Sequence, residues 1–275
     1  MRFGICASPS SFTPHPGETS TAALRRSLQF IRDAGADYIE FTVGSVFPEG
    51  SAADFEALQN AMDGAALKPE AFNTFIPKHH PITGPVVNMS ALLRFCQTAL
   101  ERCRALGAEI VVLGSGGARR FPEGFERAKA EAQFVAFCKE LDPIAEQAGV
   151  TIALEPLNTK EDNLLTTVKA GAALTDTVAR KRIRLLADLY HMSEDKEPLT
   201  HVADAGARLV HTHLADLGRV APGYATSGEE DFVGFFRNLK LAKYDARCSF
   251  EGRFESIEQQ TKPLLDLLKK RWSEA

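Results

Sequence analysis

Short apolar runs alternate along the chain with longer stretches in which apolar residues recur every three or four positions. The short runs place apolar side chains at consecutive positions, which is typical of parallel strands buried on both faces. The longer stretches have the spacing of amphipathic helices. The predicted strands are Phe3–Cys6, Tyr38–Phe41, Pro69–Phe72, Ile110–Leu113, Thr151–Leu154, Ile183–Ala187, Leu209–Thr212 and Ala246–Phe250.

Helices are predicted between the strands, and glycine follows several of them. Glycine between a helix and a strand fits the left-handed residue that ends a helix. These glycines are Gly35, Gly107, Gly149 and Gly206. The predicted helices include Ala22–Asp33, Met89–Leu106, Glu126–Gln147, Pro198–Ala205 and Ser256–Arg271.

Eight strands, each followed by a helix, predict an α/β fold of the single (β/α)8 TIM barrel type over residues 1–275. An open doubly wound sheet has the same alternation and is the alternative. The barrel is favoured because candidate functional residues follow four successive strands and do not line one crevice. Two longer connections, Pro77–Val87 and Arg219–Gly228, are rich in Pro, Gly and polar residues and are interpreted as active-site lids.

Composition and charge narrow the function classes. Hydrophobic residues make up 44% and charged residues 25% of the chain, which is ordinary for a globular protein. The net charge of −4 gives no support to a nucleic-acid or anionic-membrane partner. No apolar stretch approaches the roughly 18 residues of a membrane span, and the N-terminus lacks the apolar core of a signal peptide. The five cysteines are interpreted as reduced thiols, so a cytoplasmic protein is predicted.

Four potential metal ligands directly follow the last four predicted strands. They are Glu155, Asp188, His213 and Glu251. A β/α barrel keeps its chemistry at the C-terminal ends of its strands, so these side chains are expected to converge there. Three carboxylates and one imidazole suit a divalent ion such as Mn, Co, Mg or Zn. The sequence therefore predicts one divalent metal site at the barrel mouth.

Two of these ligands, Glu155 and Glu251, are expected to approach each other when the barrel closes. Two carboxylates on opposite faces of a bound sugar can remove and return a proton next to its carbonyl group. A cation between them can stabilise the enediolate. This is the chemistry of epimerisation or of ketose–aldose isomerisation.

Further polar residues near the same strand ends are candidates for substrate contacts. His191 follows Asp188 by three residues and is expected over the barrel mouth. His211 shares a face with His213 and is expected one layer deeper, where it supports that ligand or contacts substrate. The guanidinium of Arg219 could hold a hydroxyl, an oxyanion or a phosphate.

The loop after the fourth strand is a candidate phosphate site. It contains Ser115, Gly116 and Arg119, whose backbone N–H groups and positive charge could bind a phosphate. The alternative is a tight strand-exit loop with solvated arginines. His79 and His80, in the loop after the third strand, are expected to contact solvent or substrate and not a metal.

Together these residues resemble the xylose isomerase-like barrel superfamily, in its sugar phosphate isomerase/epimerase branch. That branch includes ketose 3-epimerases, hydroxypyruvate isomerases and inosose dehydratases. The matching motifs are Glu155-Pro-Leu-Asn158, Asp188-x-x-His191, His211-x-His213 with Arg219 six residues on, and Glu251.

The resemblance implies a role for each matching residue. Glu155 and Glu251 would be both metal ligands and acid/base groups, and Asp188 and His213 the other ligands. Substrate contacts would come from His191, Arg219 and Glu161. The resemblance also implies a small-molecule sugar or sugar phosphate as substrate and a homo-oligomer, either a dimer or a tetramer.

Three other functions remain as alternatives. A keto-inositol dehydratase could use every ligand named above and expel a hydroxyl group in place of reprotonation. An endonuclease IV-like nuclease needs further histidines near strands two to four, where only His79 and His80 are present. A non-catalytic sugar-binding barrel would be expected to lose Glu155 or Glu251, and both are present.

Overall fold

Eight parallel strands close into a barrel in the computed structural model, which describes residues 1–275. Each strand pairs with the next one along the chain, and the last strand pairs with the first. The predicted TIM barrel is thus confirmed, and the open doubly wound sheet is excluded. The strands are β1 Arg2–Cys6, β2 Tyr38–Thr42, β3 Pro69–Asn73, β4 Ile110–Leu113, β5 Thr151–Leu154, β6 Ile183–Asp188, β7 Leu209–Leu214 and β8 Arg247–Phe250.

Helices surround the barrel and include all the predicted ones, with ends shifted by a few residues. The α-helices are α1 Ser20–Asp33, α2 Ala52–Met62, α3 Met89–Leu106, α4 Gly116–Arg119, α5 Arg127–Ala148, α6 Val168–Val178, α7 Leu189–Glu194, α8 Thr200–Ala205, α9 Phe232–Leu241 and α10 Ile257–Glu274. Short 3₁₀ helices span Pro9–Ser11, Val43–Val46 and Gly206–Arg208. None of the helices combines the length and the apolar character that crossing a membrane requires.

The predicted glycine cap of α3 illustrates how these helices end. Gly107 has a φ of 116°, and its N–H group donates to the carbonyl oxygen of Arg104. The N–H group of Ala108 reaches back to the carbonyl oxygen of Cys103 at 3.1 Å. This pairing satisfies carbonyl groups that the end of a helix would otherwise leave free, so the chain turns directly into β4.

Side chains alternate between two cores along each strand. One core packs the strands against the helices, and a smaller one fills the barrel interior with residues such as Tyr38, Val112 and Leu186. Above this apolar layer, the interior side chains become polar at the C-terminal ends of the strands, where Glu40 and His213 are fully buried. Buried polar groups require partners, so this end of the barrel is where a site is expected.

The connection Pro77–Val87 is anchored to the loop that follows β4. Ile82 is fully buried, and its N–H group donates to the carbonyl oxygen of Ala118 at 2.8 Å. The hydroxyl of Thr83 donates to the carbonyl oxygen of Arg119 at 2.6 Å. The segment interpreted as a lid is therefore held by buried contacts along part of its length.

Candidate active site

The four predicted metal ligands meet at the C-terminal end of the barrel. One ligand atom each from Glu155, Asp188, His213 and Glu251 lies within 4.8 Å of the others. His213 Nδ1 is 3.0 Å from Glu155 Oε1 and 3.8 Å from Glu251 Oε2. Glu251 is partly exposed, whereas the other three side chains are buried. The cluster could therefore hold one ion with an open side toward solvent.

The charges and unpaired atoms of the cluster fit a cation. Asp188 Oδ1 accepts a hydrogen bond from the N–H of Tyr190, but the buried Oδ2 has no partner. Burial and then the neighbouring Glu155 raise the pKa of Asp188 to about 8. Burial likewise raises the pKa of Glu155. A divalent ion would stabilise both ionised carboxylates and would be a partner for the free oxygen.

Glu40, in the middle of β2, orients His213, the histidine of the cluster. His213 Nε2 lies 2.9 Å from Glu40 Oε1. An ionised carboxylate only accepts hydrogen bonds, so Nε2 carries a proton and donates it, while Nδ1 faces the other three ligands. Burial opposes the charge of Glu40, yet His213 and His211 lower its pKa well below the ordinary value. Glu40 was not among the residues predicted for the site.

His211 lies below the site and not at its surface. It is fully buried, and its Nε2 donates to Glu40 Oε2 at 2.8 Å. Ser249 donates to the same oxygen at 2.6 Å, and the hydroxyl of Tyr38 lies 2.8 Å from Ser249 Oγ. The structure contradicts the prediction that His211 binds substrate, because His211 is enclosed in this network. His211 and His213 share the carboxylate of Glu40, so His211 is positioned to support His213.

His191 presents a hydrogen-bond donor to the site. Its Nδ1 accepts hydrogen bonds from the backbone N–H and the side-chain amide of Asn158, at 3.2 and 2.9 Å. Burial lowers the pKa of His191 to about 3, so the ring is neutral and its proton lies on Nε2. This N–H group is buried without a hydrogen-bond partner and lies 3.6 Å from Asp188 Oδ2. It is a free donor that could form a further hydrogen bond within the site.

Arg219 covers the mouth of the site. Its guanidinium donates to Glu251 Oε2 at 2.6 Å and to Glu161 Oε1 at 3.4 Å, and it stacks over the Tyr190 ring at 4.9 Å. Asn73, at the end of β3, donates to the other oxygen of Glu251 at 2.9 Å. The predicted contact residues Arg219 and Glu161 therefore lie beside a catalytic candidate, and Asn73 is an addition that the sequence did not suggest.

A cavity opens next to this mouth, between α1 and the start of α10. Its volume is about 430 Å³, and Cys6 and Gly252 contribute to its wall. Cys6 ends β1 close to Glu40 and His213, and Gly252 follows Glu251 directly. None of the four cluster residues lines the cavity, but Cys6 and Gly252 place it beside the cluster on the side of the first and last strands.

The prediction that Arg119 binds a phosphate is wrong. Arg119 is fully buried, and its Nε donates to Asp162 Oδ2 at 2.7 Å. Its remaining nitrogens donate to the carbonyl oxygens of Leu113, Glu155 and Leu165. A guanidinium with these partners has no free face for a phosphate, and instead it fixes the backbone of Glu155.

The rest of the predicted phosphate loop is also engaged within the protein. Ser115 Oγ accepts the N–H group of Ile76 at 2.8 Å, and the Gly116 N–H group donates to the carbonyl oxygen of Gly114 at 2.9 Å. The loop is therefore a tight strand exit, as the alternative interpretation held. The difference is that Arg119 is buried and not solvated.

Replacing Asp162 by asparagine should lower the free energy of unfolding by about 3–5 kcal/mol, because Arg119 would remain buried without its counter-charge. Urea denaturation would measure the change. Asp176→Asn is a matched control, because Asp176 pairs with Arg208 at an exposed position where loss costs about 1 kcal/mol or less. Equal effects of the two substitutions would contradict the assigned role of the buried pair.

Comparison with known proteins agrees with this fold and arrangement. Residues 28–271 match the model of the xylose isomerase-like TIM barrel family. The L-ribulose 3-epimerase of Methylomonas sp. (strain DH-1) is 30% identical over 240 residues, which are 86% of this chain and 80% of that protein. The 3-dehydro-D-guloside 4-epimerase of Escherichia coli (strain K12) is 29% identical over 117 residues, which are 42% of this chain and 44% of that protein.

The fold also resembles solved structures along its whole length. The crystal structure of a D-psicose 3-epimerase in the presence of D-fructose has a TM-score of 0.82 at 16% identity and covers 99% of both chains. The resemblance inferred from the sequence motifs is confirmed by the family match and by the relatives. The chain therefore belongs to the xylose isomerase-like TIM barrel family.

Proposed function

We propose that this protein is an enzyme that epimerises or isomerises a ketose by moving the proton on a carbon next to the carbonyl group. The observation that carries the proposal is the presence of two glutamates, Glu155 and Glu251, in one four-ligand cluster at the barrel mouth. The sugar epimerases among the relatives support the same class of reaction.

The cluster of Glu155, Asp188, His213 and Glu251 would hold one divalent ion of the Mn, Co, Mg or Zn type. When bound, the ion would stabilise the negative charge that develops on the substrate oxygens. The unpaired Oδ2 of Asp188 and the Nδ1 of His213, which faces the carboxylates, support this assignment.

Glu155 and Glu251 would exchange the proton on opposite faces of the sugar. Arg119 holds the backbone carbonyl of Glu155 at 3.0 Å, and Asn73 holds one carboxylate oxygen of Glu251 at 2.9 Å. Fixed positions matter because proton transfer is efficient only when donor and acceptor are within hydrogen-bond reach. One glutamate, as the carboxylate, removes the proton from one face, and the other, as the carboxylic acid, delivers its own proton to the opposite face, so the configuration at that carbon is inverted.

The remaining contacts favour an uncharged ketose over a sugar phosphate. The N–H group of His191, the guanidinium of Arg219 and the carboxylate of Glu161 suit hydroxyl groups. Arg219 already pairs with two carboxylates, and Arg119 is buried, so neither guanidinium is free to balance a phosphate. The L-ribulose 3-epimerase relative points to C3 of an unphosphorylated ketose as the reacting carbon.

The proposal is tested by hydrogen exchange in D₂O followed by NMR. Protein loaded with Mn²⁺, Co²⁺ or Mg²⁺, and then freed of excess ion, is mixed with ketopentoses, ketohexoses, their phosphates and keto-inositols. We expect deuterium at the carbon next to the carbonyl group of a free ketose, together with the epimeric product. Loss of water from a keto-inositol would instead establish the dehydratase, and no exchange with any of these compounds would contradict the proposal.

A further inference from the structure

A second group of potential metal ligands lies on the loops that follow β2 and β3. It consists of Glu49, His79 and His80, and it shares no residue with the four-ligand cluster. We propose that this trio, here called the loop triad, binds a zinc-type divalent ion and ties the two loops together. This site is independent of the proposed catalytic reaction.

The geometry of the loop triad is close to that of a metal site. His79 Nε2 lies 2.9 Å from Glu49 Oε2, and His80 Nε2 lies 3.0 Å from Glu49 Oε1. Ligands that surround zinc tetrahedrally at about 2.0–2.1 Å are separated by roughly 3.3 Å. Around an ion, the distance from each imidazole nitrogen to its carboxylate oxygen would therefore have to grow by only a few tenths of an ångström, and one ligand atom from each of the three side chains already lies within 4.8 Å of the others.

The orientation of the two imidazoles is set by packing. The His80 ring lies 4.7 Å from the His79 ring and 5.0 Å from the Phe95 ring of α3, measured between centroids. The backbone N–H of His80 donates to the carbonyl oxygen of Pro77 at 3.0 Å, so a tight turn places the two histidines side by side. Both rings direct Nε2 toward the same carboxylate, so much of the cost of ordering the ligands is already met.

The donor set also favours a transition-metal ion. Two imidazoles and one carboxylate suit zinc and its neighbours, whereas Mg²⁺ and Ca²⁺ prefer oxygen ligands alone. The partial exposure of all three side chains leaves room for water molecules in the remaining coordination positions. The carboxylate comes from the β2–α2 connection and the imidazoles from the β3–α3 connection, so the bound ion would cross-link them.

Zinc titration of the metal-free protein at pH 7.5, followed by calorimetry, tests the proposal. We expect two zinc ions per chain, one at the four-ligand cluster and one at the loop triad. Glu49→Gln or His79→Asn should lower the zinc affinity of the loop triad by at least about a hundredfold, because even loss of an outer-sphere partner can lower metal affinity by that much. Asp188→Asn should weaken the other site and leave the loop triad unchanged.

His201→Asn provides the matched control. His201 also contacts a carboxylate, Glu197, at 2.8 Å, but this pair belongs to none of the clusters of three ligands. The control should bind zinc as the wild type does. Zinc affinity and stoichiometry that are equal in the wild type, Glu49→Gln and His79→Asn would overturn the proposal, whatever occurs at the four-ligand cluster.

Proteolysis gives a readout that does not depend on counting ions. Lys78 is exposed and directly precedes the two histidines, so trypsin can cut there when the loop opens. In the Asp188→Asn variant, zinc at one hundred times its dissociation constant should slow this cut about a hundredfold, because only the closed loop binds the ion. Equal cleavage rates with and without zinc would also count against the site.

Discussion

Replacing Glu155 or Glu251 by glutamine is expected to lower kcat for epimerisation by about 10⁴-fold, the upper end of what one acid/base group contributes. The amide cannot accept the proton, although it keeps the size and one oxygen of the carboxylate. Glu109→Gln is the matched control, because Glu109 pairs with Arg247 near the opposite end of the barrel. That variant should keep the wild-type rate.

The two variants should also separate proton removal from inversion. If each glutamate serves one face of the sugar, each variant should still exchange the proton of one epimer with D₂O and should form no product. The two variants should therefore label opposite epimers. Near wild-type turnover in both would contradict the two-glutamate mechanism, and metal content measured in parallel shows whether the loss reflects a missing ion.

Gly114→Ala is expected to lower kcat by about 10²-fold or more while the fold remains intact. A Cβ atom at Gly114 would overlap Glu155 Oε2 and lie 2.8 Å from its Cδ, so the carboxylate must swing out of the cluster. Misplacement of a reacting group by about 1 Å can cost this much. The backbone of Gly114 does not have a positive φ, so alanine introduces no strain of its own.

Gly44→Ala is the control for this second prediction, because a Cβ atom there meets nothing within 4 Å. Thermal unfolding and kcat should both stay at the wild-type level in the control. In the Glu155→Gln background, Gly114→Ala should lower kcat little further, since both changes act on the same side chain. If Gly114→Ala lowered kcat in the double variant by the same factor as in the wild type, the substitution would act on something other than Glu155.

The fold could be predicted because the buried strands are uninterrupted apolar runs. Ile110–Leu113 and Thr151–Leu154 were predicted with the bounds that the structure has. The strands β6 and β7 were predicted too short, because their apolar runs stop before Asp188 and His213. Those two residues are nevertheless paired with each other across the strands. Polar residues that a site requires thus mask the true ends of the strands that carry them.

The four residues of the cluster could be located because each comes directly after a predicted strand. Their supporting groups could not be identified in the same way. The sequence does contain an indication of the role of Glu40. A carboxylate between Ile39 and Phe41, inside a buried strand, must have a partner. The sequence contains no such indication for Arg119. Its counter-charge, Asp162, lies 43 residues further along the chain, and only the folded barrel brings the two side chains together.

The buried arginine has a practical consequence for anyone who wishes to alter sugar preference by directed evolution. Arg119 joins the loop after β4 to the backbone of Glu155, so randomising that loop would displace the proposed acid/base group before it changed the substrate. The residues that line the cavity between α1 and α10 form no hydrogen bonds with Arg119, and the cavity lies beside the same site. Libraries restricted to Thr13, Ser27 and Phe254 in its wall should therefore yield a larger share of folded, active variants.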